Sequence, residues 1–600
     1  MVQIIWLVIA SLLTFTAGYL AYSRYLAQFV GLDDSRQTPA HEFEDGQEYV
    51  PTKKPVLLGH HYSSIAGGAP IVGPITAGVL WGWLPALAWI AIGNPLMGAV
   101  HDFSSLSSSL RHDGKSIGTI IGEYVGSRGR RMLLWFAFLT IILVVAVFAL
   151  VVGIVFNAFP QAATASLIYI GLALLLGLWL YQFDLPFLLG TAIFVAMMFV
   201  GVFVGIQYPL AIVPGDYPTG TIVLTGASLG WLPGASAFGA NTAAWIPIVL
   251  VYAAIASALP VWMLLQPRDY LSSFLLYTGV GGAVVAVFVG TIFGTASEPL
   301  TTSLAPFYGF IGRNGAPLFP LLFITIACGT ISGFHSLVSS GTTAKQLNKE
   351  SDARAIGYGG MLGEGLLATV ALVTVALIAP DIGGGIGLAL PTFASGGGVL
   401  LTSFGIPVAF GAPFMALVLV SFLLTSTDTA VRLGRYMMEE IVGTPTTAVQ
   451  TVASDRFGNA FTQGLIAYVL IGSGSWATLW QLFGGANQLL AALALLTVTV
   501  WLANWDDTKQ LVSTGVPMAI MVVITVSGLL WLALHSNLYS KFLNPEWMAT
   551  AGTVAMLSAA VQIALALVLV YLGLALVRMG YSNIQSVKQS GRGGVSPGDD

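Results

Sequence analysis

The chain has 600 residues but only 22 Lys plus Arg and 26 Asp plus Glu, 8% of the total, with 56% hydrophobic residues and a net charge of -4. Soluble domains run at about 25% charged, and no packing of them hides this much apolar surface behind so few charges. Composition therefore excludes a soluble enzyme or a nucleic-acid binder and describes an all-α polytopic membrane protein. The single cysteine, Cys328, excludes a disulfide framework or a Cys-based metal cluster and reads as packing.

A membrane-crossing helix takes about 20 apolar residues. Segments of that kind are predicted at 3–27, 56–81, 83–110, 132–158, 162–181, 186–207, 242–265, 271–296, 317–344, 357–380, 410–431, 461–480, 486–504, 512–536 and 550–579, fifteen in all. The stretch 388–409, with Gly396, Gly397 and Gly398, reads as an extra short or re-entrant segment. The first span has no basic n-region and its first Arg is Arg24, so it reads as a retained anchor rather than a cleaved signal. Residues 28–55, with Asp33, Asp34, Glu42, Glu44, Asp45 and Glu48, form an acidic connector. The tail from Ser582 is Ser/Gly-rich and reads as disordered.

Basic residues stay on the cytoplasmic side of a membrane. With the N-terminus outside and sides alternating, 20 of the 22 Lys and Arg fall inside and only Arg313 and Lys541 outside. The expected topology is N-terminus outside and C-terminus cytoplasmic, with an extracytoplasmic loop at 208–241 that holds no Lys or Arg.

Gly and Pro inside a span free backbone groups, which are tolerated at membrane depth only where they line a cavity or are buried in protein. Three breaks meet that description. The first runs from Gly59-His60-His61-Tyr62-Ser63-Ser64 through Gly67-Gly68 to Pro70 and Pro74. It reads as an unwound binding segment, against the plainer reading of a tightly packed Gly-rich helix. The second is Ser257-Ala258-Leu259-Pro260-Val261-Trp262, where a structural kink and a functional one are both open. The third is Thr325 to Thr343, in which Cys328, Ser332, Ser336 and Ser340 recur every four residues on one helix face. Ser336, Ser339 and Ser340 present hydroxyls at a spacing suited to a small cation, or to close packing; His335 favours a site. The first two breaks lie five spans apart, the signature of a five-helix unit repeated with inverted topology.

That arithmetic divides the chain into an accessory helix (1–27), a cytoplasmic connector (28–55), a first repeat (56–207), the loop 208–241, a second repeat (242–431), accessory helices (461–579) and a cytoplasmic tail (580–600).

A charge at the bilayer centre costs about 2.5–3.5 kcal/mol on insertion scales, so each one asks for a reason. Asp428 precedes Arg432 and either pairs with it at i, i+4 or couples an ion; His101-Asp102 and Glu364 lie one to two turns inside their spans. For a proton relay the candidates are His60, His61, His101 and His335. The expected substrate contacts are His61, Tyr62, Ser63, Ser64, Gly67, Gly68, Trp262 and His335. The expected ion-coupling residues are Ser336, Ser339, Ser340, Thr343, His101, Asp102 and Asp428. No Walker sequence, H-E-x-x-H or paired Cys occurs, so neither ATP-driven transport nor a cofactor is expected. The alternative is a membrane-embedded metal-dependent enzyme built on the four His.

His60 through Pro74, Gly98-Ala99-Val100-His101-Asp102-Phe103, Pro267-Arg268-Asp269-Tyr270-Leu271, Thr325 through Thr343 with Lys345-Gln346, Ile356 through Leu362, Asp428-Thr429-Ala430 and Phe483 through Leu490 resemble the carbon starvation protein A family of bacterial inner-membrane transporters. The likeness spans residues 56 to 505. It implies import of small organic nutrients, peptides or pyruvate, by symport with a proton or Na+, and kinship to the LeuT-type APC superfamily.

Overall fold

The computed structural model describes residues 2–378, 386–472, 476–505, 510–551 and 553–590. Among these, twelve helices are long and apolar enough to cross a membrane, and the pair Lys54–Ile65 and Ala69–Trp81, bent by 46°, makes a thirteenth as one span. The sole sheet among the described residues is a two-residue ladder, Leu210–Ala211 against Ile222–Val223, inside the loop 208–241.

Of the fifteen predicted spans, 56–81 is the bent pair and 317–344 is not one continuous crossing helix. The 317–344 segment is Leu318–Thr325, an irregular stretch, then Gly333–Val338 running on to Thr343. The 461–480 segment falls partly outside the described residues, after the helix Arg456–Gly472. The stretch 388–409 contains the helix Ile386–Leu401, but it does not carry the chain to the other side. Ser303 N donates to Ala376 O at 2.7 Å and the Thr295 hydroxyl donates to Ser403 O at 2.9 Å, so both ends of the unit return to one loop layer. The tail predicted to be disordered from Ser582 is helical to Ser590; residues 591–600 lie outside the described set.

Burial grades the spans from centre to rim. The apolar windows of Ile117–Ala158 and Trp480–Trp505 are 89% and 94% buried, whereas that of Phe187–Gln207 is 22% buried and lies at the rim. Gly126, at φ 82°, bends the first of these helices near its basic end, a conformation that a Cβ would strain.

The second predicted break is a loop between spans. Leu259, forced into extended backbone ahead of Pro260, ends the helix Ala240–Ala258, and a new helix begins at Leu265. The inverted repeat inferred from a five-span offset is thereby left without its second break.

Loops group on two faces. On one, the acidic connector laces together the segments that carry most of the basic residues. Val50 N and Thr52 N donate to Lys345 O and Gln346 O, Glu350 pairs with Arg111, Lys54 with Asp352 at 2.7 Å, and Glu48 with Arg432 at 3.4 Å and with the Tyr436 hydroxyl. Burial would raise the Asp45 carboxyl, but N–H groups of Gln47, Glu48 and Tyr49 donate to it and hold it below its ordinary value. On the opposite face Ile4 N donates to Leu300 O, Leu84 N to Pro306 O and Arg313 N to Leu80 O.

Glycine lets the broken helices touch. A Cβ on Gly73 would stand 2.4 Å from Thr325 O, and one on Gly98 would stand 2.1 Å from Thr330 O, both backbone atoms that cannot step aside. Gly73→Ala and Gly98→Ala should each lower stability by about 1–3 kcal/mol. Melting in detergent checks this, with Gly171→Ala as the control because its added Cβ meets nothing within 4 Å.

Candidate functional site

Two helices are interrupted at membrane depth, and they meet at their interruptions. Helix Lys54–Ile65 stops where Ala66 turns to φ -72°, ψ 87°, and the chain resumes as Ala69–Trp81. Leu318–Thr325 stops at Ile326 (φ -91°, ψ 70°), and the next helix starts after Ser332. A Cβ on Gly329 would lie 3.7 Å from the Pro70 Cα, which places one break against the other. Side-chain amides satisfy the freed backbone, as the lack of water there requires. Asn94 Nδ2 donates to Gly329 O at 3.1 Å and to Met361 O at 2.9 Å. Asn487 accepts from Phe334 N at 2.8 Å and donates to Ser332 Oγ at 2.9 Å; Gln488 donates to Phe323 O at 3.0 Å.

Beside the second break lies a buried chain of imidazoles and carboxylates. His101 Nδ1 is 2.8 Å from Asp102 Oδ1, and His335 Nδ1 is 3.0 Å from Asp102 Oδ2. The far nitrogen of His335 stands 3.2 Å from Glu364 Oε2, an ion-pair distance without hydrogen-bond geometry, so both Glu364 oxygens lack a hydrogen-bond donor. The Cys328 thiol closes the group: one atom each of Cys328, His335 and Glu364 lies within 4.8 Å of the others. All five side chains are at most 3% exposed. The group contains two carboxylates and no Arg or Lys, so its charge depends on the protons it holds.

A second buried cluster lies on the other side of helix Lys54–Ile65. His60 Nδ1 is 2.5 Å from Asp269 Oδ2. The Arg268 guanidinium donates to Asp269 Oδ1 at 2.7 and 3.0 Å, to both oxygens of Asp428, and to the Tyr252 hydroxyl at 2.6 Å. Thr425 donates to Asp269 Oδ1 at 3.0 Å, and Ser63 and Ser272 close the rim through the Asp269 carbonyl.

Several expected site residues meet here and others do not. His61 turns away from His60 and bonds Thr343 Oγ1 at 2.9 Å, leaving its Nε2 buried and without a partner. Tyr62 donates to Gly363 O at 2.8 Å. Ser64 approaches His60 at 3.3 Å, while Gly67 and Gly68 pack on Phe148 and Leu423. Trp262 is a loop residue next to Tyr181, their ring centroids 6.1 Å apart, and does not join the others. In the serine stripe, Ser336 donates to Gly333 O and Ser340 to Ser336 O within their own helix, Ser340 Oγ also accepts from Ile117 N at 3.1 Å, and the buried Ser339 hydroxyl has no partner. Asp428 pairs with Arg268; Arg432, its expected partner at i+4, donates to the carbonyls of Ala256 and Leu259 instead. The four His do not converge on one point, which removes the geometric basis for a metal-dependent enzyme built on them.

Sequence reasoning missed Arg268 and Asp269 as site residues. Near the end of an apolar run they read as loop, but the helix restarts at Leu265 and carries both inward to full burial. The dipeptide itself, a cation beside an anion just after Pro267, was the signal available. Asn487 and Gln488 offered none, because their partners lie more than 150 residues away in sequence.

The profile described as Carbon starvation protein CstA matches residues 3–388 and 383–528. The chain is 34% identical over 607 residues to a protein of Helicobacter pylori named Peptide transporter CstA, covering 89% of this chain and 83% of that one. It is 31% identical to the Pyruvate/proton symporter BtsT of Escherichia coli (91% and 83% covered) and 31% identical to a Peptide transporter CstA of Bacillus subtilis (90% and 91% covered). Among solved structures it is similar to a manganese transporter of Eremococcus coleocola, at 11% identity and a TM-score of 0.44, covering 91% of this chain and 99% of that one. On the profile match and on relatives aligned along most of both chains, this polytopic membrane protein belongs to the CstA family.

Proposed function

We propose that the protein is a secondary transporter that imports peptides or pyruvate across the bacterial inner membrane by proton symport, as a nutrient uptake system for carbon-limited cells. The observation that carries the reading is the meeting of two broken helices beside a buried His101–Asp102–His335–Glu364 chain. Irregular backbone at membrane depth is tolerated where it lines a cavity, and intramembrane carboxylates with His mark proton paths. The names of the relatives support the substrate class, and one of them is named a proton symporter. Na+ has less support, since the relative whose name states a coupling ion is named a proton symporter. His61, Tyr62, Gly67, Gly68 and His335 remain the proposed substrate contacts; the orphaned Nε2 of His61 is the donor or acceptor a carboxylate or amide would engage. The face that gathers the basic loops is the cytoplasmic one, which puts the N-terminus outside.

Proteoliposomes test this. Pyruvate or alanyl-alanine should accumulate under an inward proton gradient, and a protonophore should abolish the accumulation. Accumulation driven by a Na+ gradient alone would replace the ion, and equal uptake with the gradient collapsed would remove coupling altogether. Elemental analysis of the same preparation should find no stoichiometric transition metal.

A further inference from the structure

A coupling proton held by the Asp102–His335–Glu364 chain must reach the cytoplasm, yet all three side chains are fully buried. Two helices lead away from it. Helix Ala99–Leu110 carries Asp102, and the run Gly333–Val338, continued to Thr343, carries His335. They meet at two levels. His335 Nδ1 is 3.0 Å from Asp102 Oδ2, and nearer the basic loops Ser109 Oγ donates to Ser340 O at 3.1 Å. Both segments therefore advance together toward the cytoplasmic face, and the residues between those contacts form one layer. On one side that is Ser105, one turn on from Asp102; on the other it is Ser339, one turn on from His335.

Ser105 and Ser339 differ from the serines around them. Ser104, Ser107 and Ser108 donate to carbonyls of their own helix, as do Ser336 and Ser340. The hydroxyls of Ser105 and Ser339 are fully buried and have neither a carbonyl nor another side chain as partner. A third unpartnered atom lies at the same depth. His61 bonds Thr343, one turn beyond Ser339, and its Nε2 lies beside Gly360, one turn to the cytoplasmic side of Glu364; a Cβ on Gly360 would stand 3.4 Å from it. Buried polar atoms are nearly always satisfied, and a site with several such atoms offers a water the roughly two to four hydrogen bonds that hold it. Polar groups continue outward from this layer. Thr342 adds another buried, unpartnered hydroxyl, Ser340 Oγ accepts from Ile117 N at 3.1 Å, and Ser109 Oγ donates at 2.8 Å to the carbonyl of Lys115, an exposed loop residue.

We infer that Ser105 and Ser339 hold buried water that passes the coupling proton from the Asp102–His335 pair to the cytoplasm. This rests on the proton-coupled reading above and deepens it. In each hop an oxygen accepts a proton from the Asp102–His335 side and releases one of its own toward the loop. Serine and water end as they began, and one proton reaches the cytoplasm. Ser105 and Ser339 are positioning residues: they set how fast the proton leaves, while Glu364 and His335 decide whether transport is coupled to it.

The test uses proteoliposomes under a fixed inward pH difference, with pyruvate and alanyl-alanine as probes. Ser105→Ala and Ser339→Ala should each slow net uptake by about tenfold, what losing one hydrogen bond from a barrier costs. The final accumulation ratio should stay at the wild-type value, because Glu364 and His335 are untouched. Counterflow should also keep its wild-type rate, since the carrier exchanges substrate without giving up its proton, whereas a merely structural defect would slow both. Wild-type net uptake in either variant overturns the path. Counterflow slowed as much as net uptake, or a lowered accumulation ratio, overturns it too. If one variant fails to fold, the other decides. A wild type that ignores the pH difference overturns the proton-coupled reading instead, which tells the two failures apart.

Discussion

Glu364→Gln should leave a folded protein that exchanges substrate across the membrane but no longer concentrates it. Glu364 is fully buried, its oxygens receive no hydrogen bond, and its charge is faced by His335 Nε2 at 3.2 Å, so the two share an exchangeable proton. Gln keeps the volume and removes the ionisation. Coupling is a free energy linking two binding events, and with one event gone the accumulation ratio should fall to about one. Counterflow of labelled against unlabelled substrate should persist, which separates lost coupling from lost folding. A variant that still accumulates substrate uphill would move the coupling proton off Glu364.

Arg268→Met should be among the most damaging single substitutions for stability. It leaves the Asp269 and Asp428 carboxylates fully buried with only His60, Thr425 and neighbouring hydroxyls as partners. Breaking a buried pair by removing one member costs about 3–5 kcal/mol, a large part of the roughly 5–15 kcal/mol that holds a typical domain folded. Adding Asp269→Asn and Asp428→Asn to the same chain should recover much of that loss, because a buried ion pair as a whole contributes little net stability. Melting in detergent reads both. A single variant within about 1 kcal/mol of wild type would mean that water reaches the cluster.

How far the sequence foretold this arrangement depended on whether a feature is local. Apolar runs locate the spans, because about 20 such residues suffice to define one. The Ala66–Gly68 break was visible in its Gly and Pro content, and the interruption after Thr325 in its Gly-rich, polar run. Pro260 misled, since a proline that kinks a span and one that ends it look alike until Leu259 is seen in extended backbone. Ion pairing was the least legible. Asp428 has an Arg at i+4 and reads as either paired with it or coupling an ion, yet the side chain that pairs with it is Arg268, 160 residues away. Arg268 was itself read as a loop residue, because less than one turn of helix after Leu265 separates a loop cation from a buried one. The Ser336–Ser340 stripe has the spacing of a cation site, but spacing does not tell which hydroxyls turn back to their own helix, as Ser336 and Ser340 do, and which stay unpartnered, as Ser339 does.

The most direct measurement of the central claim is the proton itself. In proteoliposomes loaded with a pH-sensitive dye and held without any imposed gradient, adding substrate should acidify the lumen in proportion to substrate entry. Glu364→Gln should abolish the signal while counterflow continues. Substrate entry with no change in lumenal pH would contradict the account.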